Sequence, residues 1–370
     1  MTRSEQPNSL LLLFSVATLL TLAFVFIFLG STFFAAASLA YVQTTSLVEK
    51  LGYSVPQLVA QTQAGLSNPP LVDHAGHKNF LLLGLDTLES RTDSKPLTDT
   101  VLLLSLDTSE NTVNMLSFPR DLWSDSYKSK INALYAEAID QGLQPNYYIE
   151  DEIERLGDLN IHHTVVITMD MVGTLIDSLG GVTIDVQEPF TDPLFPRSDV
   201  DVTKETDPSI LYETISFEAG VQHMNGERAL KYLRSRHASG KQGSDLARSI
   251  RQQQVLSAVF AHASNPTTLL NETTILTLGR QYRQIIEPTL PISELVSTSY
   301  SMVNNAHPIT FQSNSLPIYP DIPSGVLYHP QEYLYQGQWV YTIRDKSEFS
   351  KTVKQLLGYS ETNTPDVRKE

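Results

Sequence analysis

The chain has 370 residues, 41% of them hydrophobic, which is enough to build a sizeable core and excludes a disordered protein. A formal net charge of -15 excludes the broad basic surface of a general nucleic-acid binder, so any phosphate site has to be local. Cysteine is absent, which excludes disulfides, thiolate metal sites and cysteine nucleophiles and leaves the redox compartment open.

From Ser9 to Val48 no residue is charged, and Leu10 to Leu29 is almost wholly apolar, about the ~20 residues that span a bilayer as a helix. This stretch is predicted to be a transmembrane helix that leaves the remainder outside the cytoplasm. The competing reading is a cleaved signal peptide ending at Ser38-Leu39-Ala40, but the apolar run is longer than the ~7–15 residues of such a region. Residues 41–76 mix Gln, Thr, Ser, Pro and Gly and read as a stalk with one short helix, and the folded domain is expected to begin near His77.

Three short apolar or β-branched runs follow, Asn79 to Leu85, Thr100 to Leu106 and Thr112 to Phe118, each bounded by turn residues and predicted as strands. The near-continuous apolarity of the first two suits central strands covered on both faces. Ile131 to Leu156 is expected to be helical with a break at Gly142 and Pro145, Thr164 to Met169 a strand, Met171 to Leu179 a helix stopped by Gly180-Gly181, and Val182 to Val186 a strand. Residues 189–213 carry prolines and acids and read as a long surface excursion. Helices are expected over 226–234, 245–263, 272–286 and 292–305, with a late strand from His307 to Phe311. Interleaved strands and helices predict an α/β fold, an αβα sandwich with a central mixed sheet, preceded by one N-terminal transmembrane helix.

Arginines, acids and amides gather at the ends of these elements. Asp86 ends the first strand and Asp99 opens the second; their hard oxygens suit Mg²⁺, which binds through one or two carboxylates plus substrate phosphates, although a strand-end Asp also serves simply to cap a turn. Ser117-Phe118-Pro119-Arg120-Asp121 follows the third strand, where proline ends the pairing and presents Arg120 on the loop, and Lys130-Ile131-Asn132 adds a cation and an amide. The third cluster holds Arg234, Arg236, Asp245, Arg248, Arg251 and Gln252. At 100° per residue, Asp245, Arg248 and Gln252 fall within a 60° arc, and Leu256, Val259 and Phe260 lie on nearly the same side. Charge on a buried face is costly unless bound or paired, so these residues read as a lined pocket, with an internal bridge from Asp245 to an arginine as the structural alternative. Arginine forks fit phosphate oxygens bidentately, and Arg120, Arg234, Arg236, Arg248 and Arg251 together suit a group as charged as pyrophosphate.

These residues, in this order, resemble the LytR-CpsA-Psr family of bacterial cell-wall enzymes. The resemblance also rests on Leu179-Gly180-Gly181-Val182 and Asn225-Gly226-Glu227 and covers roughly residues 79 to 260. It implies transfer of a glycopolymer from a polyprenyl-pyrophosphate carrier to peptidoglycan, with Asp86 and Asp99 holding Mg²⁺ and Arg120, Arg234, Arg236 and Arg248 gripping the pyrophosphate, supported by Lys130 and Gln252. It also implies an apolar tunnel for the lipid, with the helices at 171–179 and 245–263 as candidate walls. Asp121 or Asp99 is expected to assist deprotonation of the acceptor hydroxyl. The implied organisation is a cytoplasmic head (1–8), a transmembrane anchor (9–40), a stalk (41–76), an extracytoplasmic catalytic domain (77–345) and a C-terminal helix with a frayed tail (346–370). Phe118 and the pair Leu246-Ala247 depart from the family pattern without removing a charge.

The partners expected are therefore the lipid-linked polymer, peptidoglycan and the membrane, with pyrophosphate hydrolysis as a side activity and no nucleic acid. A non-catalytic membrane-tethered scaffold that binds polyprenyl phosphate or wall polymer is the alternative. A small-nucleotide phosphohydrolase lacks any Walker or Rossmann signature. Adjacent His162 and His163 point to opposite strand faces and do not predict a joint metal site, and the aromatic residues near 327–341, Trp339 among them, read as late core or surface stripe before a sugar platform.

Overall fold

The computed structural model describes residues 48–85, 96–197, 200, 205, 207–263, 271–286, 288–305, 307 and 309–360. The predicted transmembrane segment, Asp86 and the tail beyond 360 lie outside these. Among the described residues no helix is long and apolar enough to cross a membrane.

In chain order the main elements are α1 (Val55–Ser67), β1 (His77–Leu85), β2 (Thr98–Asp107), β3 (Thr112–Phe118), α2 (Leu134–Asp140), α3 (Tyr147–Gly157), β4 (His163–Thr168), α4 (Met169–Ser178), β5 (Val182–Val186), β6 (Phe190–Pro196), β7 (Tyr212–Phe217), β8 (Gly220–Met224), α5 (Gly226–Arg234), α6 (Asp245–Ala263), α7 (Glu272–Gln281), α8 (Ile292–Val303), β9 (Thr310–Ser315) and α9 (Lys346–Leu356). The central sheet runs β9-β3-β2-β1-β4; the β1–β2 and β2–β3 pairs are antiparallel, and β1–β4 and β3–β9 are parallel. This is the mixed sheet expected.

The strand pleat explains the two layers that cover it. Phe80 and Leu82 of β1, with Leu102 and Leu104 of β2, point into a core shared with α1, α4, α5, α6, α7 and α8. Leu81 and Leu83, with Val101 and Leu103, point the other way into a core shared with α2, α3 and α9. Every residue of β1 is buried, which is why its sequence is continuously apolar rather than alternating.

Four parts of the chain depart from expectation. The segment read as a stalk is part of the domain from Val48 onward: Val48, Leu51, Tyr53 and Leu58 are buried, and α1 packs on α8 so closely that a Cβ on Gly65 would stand 2.3 Å from the Ser293 carbonyl oxygen. The excursion after residue 188 contains an antiparallel hairpin, β6 with β7, whose Phe190, Phe195, Ile215 and Phe217 enter the core. Pro193 sits where the ladder is irregular, between Asp192 and Phe195, and Pro196 ends the strand. The C-terminal helix is integral to the second core through Phe349 and Val353. The late strand begins at Thr310, three residues after its expected start.

Candidate active site

Two local irregularities build the site. In the β1–β2 ladder Gly84 pairs with Thr100 but Leu85 pairs with Thr98, so Asp99 is the extra residue of a bulge. A bulge of this kind re-aims a side chain at a sheet edge, and here it turns Asp99 toward the loop after β3. Gly84 is required opposite it, because a Cβ there would lie 2.8 Å from the Thr100 Cβ. After β3, Pro119 ends the ladder and the chain folds into a short hairpin, Trp123–Ser124 against Ser129–Lys130, pinned by the Asn132 amide donating to the Arg120 carbonyl at 3.2 Å. That turn brings Lys130 back beside Asp121.

The result is a chain of alternating charges. Arg120 Nη1 donates to Asp99 Oδ1 at 2.6 Å, and Arg236 Nη1 contacts Asp99 Oδ2 at 3.4 Å. On the other side Arg120 Nε lies 3.3 Å from Asp121 Oδ2, and Lys130 Nζ donates to Asp121 Oδ1 at 2.8 Å. The cleft beside this network is lined by Asp99, Thr100, Ser117, Arg120, Arg248 and Gln252, with Phe118, Leu316, Ile318 and Tyr341 as apolar wall. Arg120 and Arg248 line the cleft with Asp99, and Arg236 and Lys130 join the network through Asp99 and Asp121.

Arg234 and Arg251 are not among the described residues that line the cleft. Arg234, in the last turn of α5, lies over the Phe195 ring with its guanidinium carbon 5.7 Å from the ring centre. The backbone of Asp245 opens α6 behind a Ser244 cap, whose hydroxyl accepts from the Ala247 amide. Arg251, grouped from sequence with the pyrophosphate ligands, is engaged elsewhere. It is 2% exposed and donates to the carbonyls of Tyr232 (3.0 Å), Gln242 (3.0 Å) and Ser235 (2.6 Å), with its guanidinium over the Phe190 ring. The buried stripe of α6 in fact runs Arg248, Arg251, Val255, Val259. Helical spacing placed a charge on the buried face, and for Arg251 backbone carbonyls supply the compensation.

Two residues without a sequence signal complete the frame. Asp192, on β6 and fully buried, accepts from Ser235 Oγ at 2.7 Å and from the amides of Arg236 (2.9 Å), His237 (3.0 Å) and Leu194 (3.0 Å). Burial alone would raise its pKa, but the hydrogen bonds from His237, Ser235, Arg236 and Leu194 hold it below the ordinary value. Asp192 and Arg251 thus clamp the same backbone from two sides, and that backbone carries Arg236 to Asp99. Gln253, 2% exposed, donates to Ser117 Oγ and the Asn314 carbonyl and fixes α6 against β3 and β9. Asp192 was concealed by its proline-rich surroundings, and Gln253 by lying next to the more suggestive Arg251 and Gln252.

Among the described residues no group of three or more acidic or histidine side chains is arranged to hold a metal. His163 bonds Glu294 and the Thr289 carbonyl, whereas His162 accepts from the Asn79 amide, so the two histidines do face apart.

The LytR_cpsA_psr family model matches residues 44–355. The chain belongs to the LytR-CpsA-Psr family. Its matched span begins upstream of α1 and reaches α9, in agreement with the integration of both helices into the fold. Among curated relatives, the polyisoprenyl-teichoic acid–peptidoglycan teichoic acid transferase TagV of Bacillus subtilis is 30% identical over 197 residues, which is 52% of this chain and 45% of the relative. TagU of Oceanobacillus iheyensis, of the same description, is 27% identical over 54% of this chain and 55% of the relative. The chain thus spans about half the length of the curated relatives it matches. Among solved structures, B. subtilis TagV (TM-score 0.50, 22% identity, 77% of this chain and 99% of that one) and protein gbs0355 of Streptococcus agalactiae (TM-score 0.51, 18% identity, 78% and 91%) share the fold.

Proposed function

We propose that the chain is a membrane-anchored phosphotransferase that moves a glycopolymer from a polyprenyl-pyrophosphate carrier to peptidoglycan, outside the cytoplasm. The observation that carries this reading is the cleft lined by Arg120, Arg248 and Asp99, with Arg120 and Arg236 both on the Asp99 carboxylate. Teichoic acid transfer to peptidoglycan, the activity named for TagV and TagU, supports the same substrate class. The apolar run Leu10 to Leu29 is the proposed anchor.

Phosphoryl transfer requires charge neutralisation and alignment more than covalent help from the protein. A pyrophosphate diester brings two negative charges, which the guanidinium groups beside Asp99 suit. Arg120, Arg236 and Arg248 bind the non-bridging oxygens, and the Gln252 amide donates to one of them. The acceptor hydroxyl attacks the phosphorus that carries the glycopolymer. A new phosphorus–oxygen bond forms, the pyrophosphate bridge breaks, and polyprenyl monophosphate leaves with the electron pair. Water in place of the sugar gives the pyrophosphatase side reaction. The apolar tail lies toward the core shared by α4 and α6.

Asp99 is the carboxylate in the cleft wall; Asp121 is turned between Arg120 and Lys130 and positions Arg120. Asp99 Oδ2 makes a long 3.4 Å contact to Arg236; with phosphate oxygens of the donor it fits the hard-ligand set of Mg²⁺, and Asp86 is the proposed second ligand. Bound there, Mg²⁺ would supply further charge neutralisation. A metal-bound carboxylate is a poor base, so Asp99 takes the acceptor proton only without metal. Arg120→Ala should lower polyprenyl phosphate release by ~100-fold or more, the scale for one charge-stabilising donor. Unchanged release would sink the clamp.

A further inference from the structure

We propose that Tyr341, Trp339 and His329 form a sugar-binding platform at the mouth of the cleft, and that its occupant is the uncharged N-acetylhexosamine chain of the acceptor. The proposal rests on the transferase reading and names where the second substrate lies.

Tyr341 belongs to the cleft wall beside Arg120. From it the rings continue outward: Trp339 meets Tyr341 edge-on with centroids 4.7 Å apart, and His329 stacks on Trp339 at 4.8 Å. His329 Nδ1 lies 2.8 Å from the Val340 carbonyl oxygen, which fixes its ring. The platform is also locked in register with the catalytic loop. The Tyr341 amide donates to the Asp121 carbonyl at 2.9 Å and the Trp123 amide to the Tyr341 carbonyl at 2.8 Å. A chain lying on these rings is therefore led to Arg120 and Asp99 by the backbone that carries them.

The two tryptophans make the contrast that points to a ligand. Trp123 is 8% exposed and packs edge-on against Tyr335, an ordinary core aromatic. Trp339 is 38% exposed although it lies two residues from the cleft wall, and Tyr333 and Leu334 nearby in sequence are 73% and 62% exposed. A large ring left in water, in series with two others and continuous with a polar cleft, is suited to the apolar face of a pyranose. The charges select the acceptor over the donor. The neighbouring cation Arg344 lies over the Tyr319 ring and donates to the carbonyls of Pro323 and Gly325, so its charge is engaged there and not by the three rings. A polyanionic polymer needs the cations, and those line the cleft.

The test is a titration of the full chain in detergent with a β-1,4-linked N-acetylglucosamine tetrasaccharide, followed by tryptophan fluorescence and calorimetry. Saturable binding is expected, weakened ~10-fold or more in Trp339→Ala and largely retained in Trp339→Phe, with unchanged thermal unfolding in both. Tetrasaccharide affinity equal in wild type and Trp339→Ala, absence of binding to wild type, or stronger competition by soluble poly(glycerol phosphate) than by the neutral sugar would overturn the proposal. Binding is read here without turnover, so loss of the platform and loss of the transferase reading are separate results.

Discussion

Asp192→Asn tests whether the arginine segment is held from beneath. Asp192 is fully buried, and its Oδ2 alone receives three donors, Ser235 Oγ and the amides of Arg236 and His237, at 2.7 to 3.0 Å. Asparagine can keep one side-chain oxygen for some of these donors, but its NH₂ then opposes the remainder. Hydrogen bonds to a charged group are worth ~1.5–3 kcal/mol each, and neighbours in one network are not additive, so the expected loss is about 3–5 kcal/mol. The pH dependence follows from the depressed pKa of the folded carboxylate. Its contribution is fully present above the unfolded value of ~4 and is lost as pH falls through the lower folded value. The gap between wild type and Asp192→Asn, measured by urea unfolding at pH 7, 4 and 3, should therefore be widest at pH 7 and shrink toward pH 3. Polyprenyl phosphate release should fall with it, because Arg236 loses the backbone that aims it at Asp99. A gap under ~1 kcal/mol at pH 7, or one that does not shrink with acid, would refute the clamp.

Arg251→Met leaves the carbonyls of Tyr232, Ser235 and Gln242 without their donor and should cost ~3–5 kcal/mol; combined with Asp192→Asn it should show a coupling of ~0.5–3 kcal/mol, since both hold the same segment. Glu294→Gln should cost a similar ~3–5 kcal/mol in urea unfolding at pH 7, because Lys78, wholly buried, then loses the carboxylate 2.5 Å from its Nζ. Burial would raise the pKa of Glu294, but bonds from His163 and Lys78 bring it down to about 2, so the gap should narrow as pH falls from ~4.5 toward 2. A chain that begins at His77 instead of upstream of Val48 should be less stable and aggregate on heating, because removing α1 uncovers Leu295 and Val296 of α8; melting equal to that of the longer chain would contradict the packing.

The apolar strands and helices were legible because each buries a continuous or periodic face. The charged ends of β2, β3 and α6 were legible because arginine and aspartate at element ends are chemically conspicuous. The stalk was misread because α1 is rich in Gln, Thr and Ser, and its burial depends on a close approach to α8, more than 200 residues away in sequence, which local composition does not record. The β6–β7 hairpin was hidden by prolines that usually mark loops and here fall at an irregularity in the ladder, Pro193, and at the strand end, Pro196. Arg251 shows the limit of periodicity: spacing located a charge on a buried face, but could not tell backbone carbonyls from a phosphate as its partner. The bulge at Asp99 had no sequence signal beyond its neighbouring threonines, and it is what aims the carboxylate.

The most direct measurement is release of polyprenyl phosphate from a polyprenyl-pyrophosphate sugar by the full chain in detergent, with an acceptor wall fragment, with and without Mg²⁺, beside Asp99→Ala and Arg248→Ala. Metal-dependent release by wild type that is lost in both variants is the result expected of a transferase built on this cleft. Tight binding of the lipid pyrophosphate with no release under any of these conditions would contradict it and favour a non-catalytic binding scaffold.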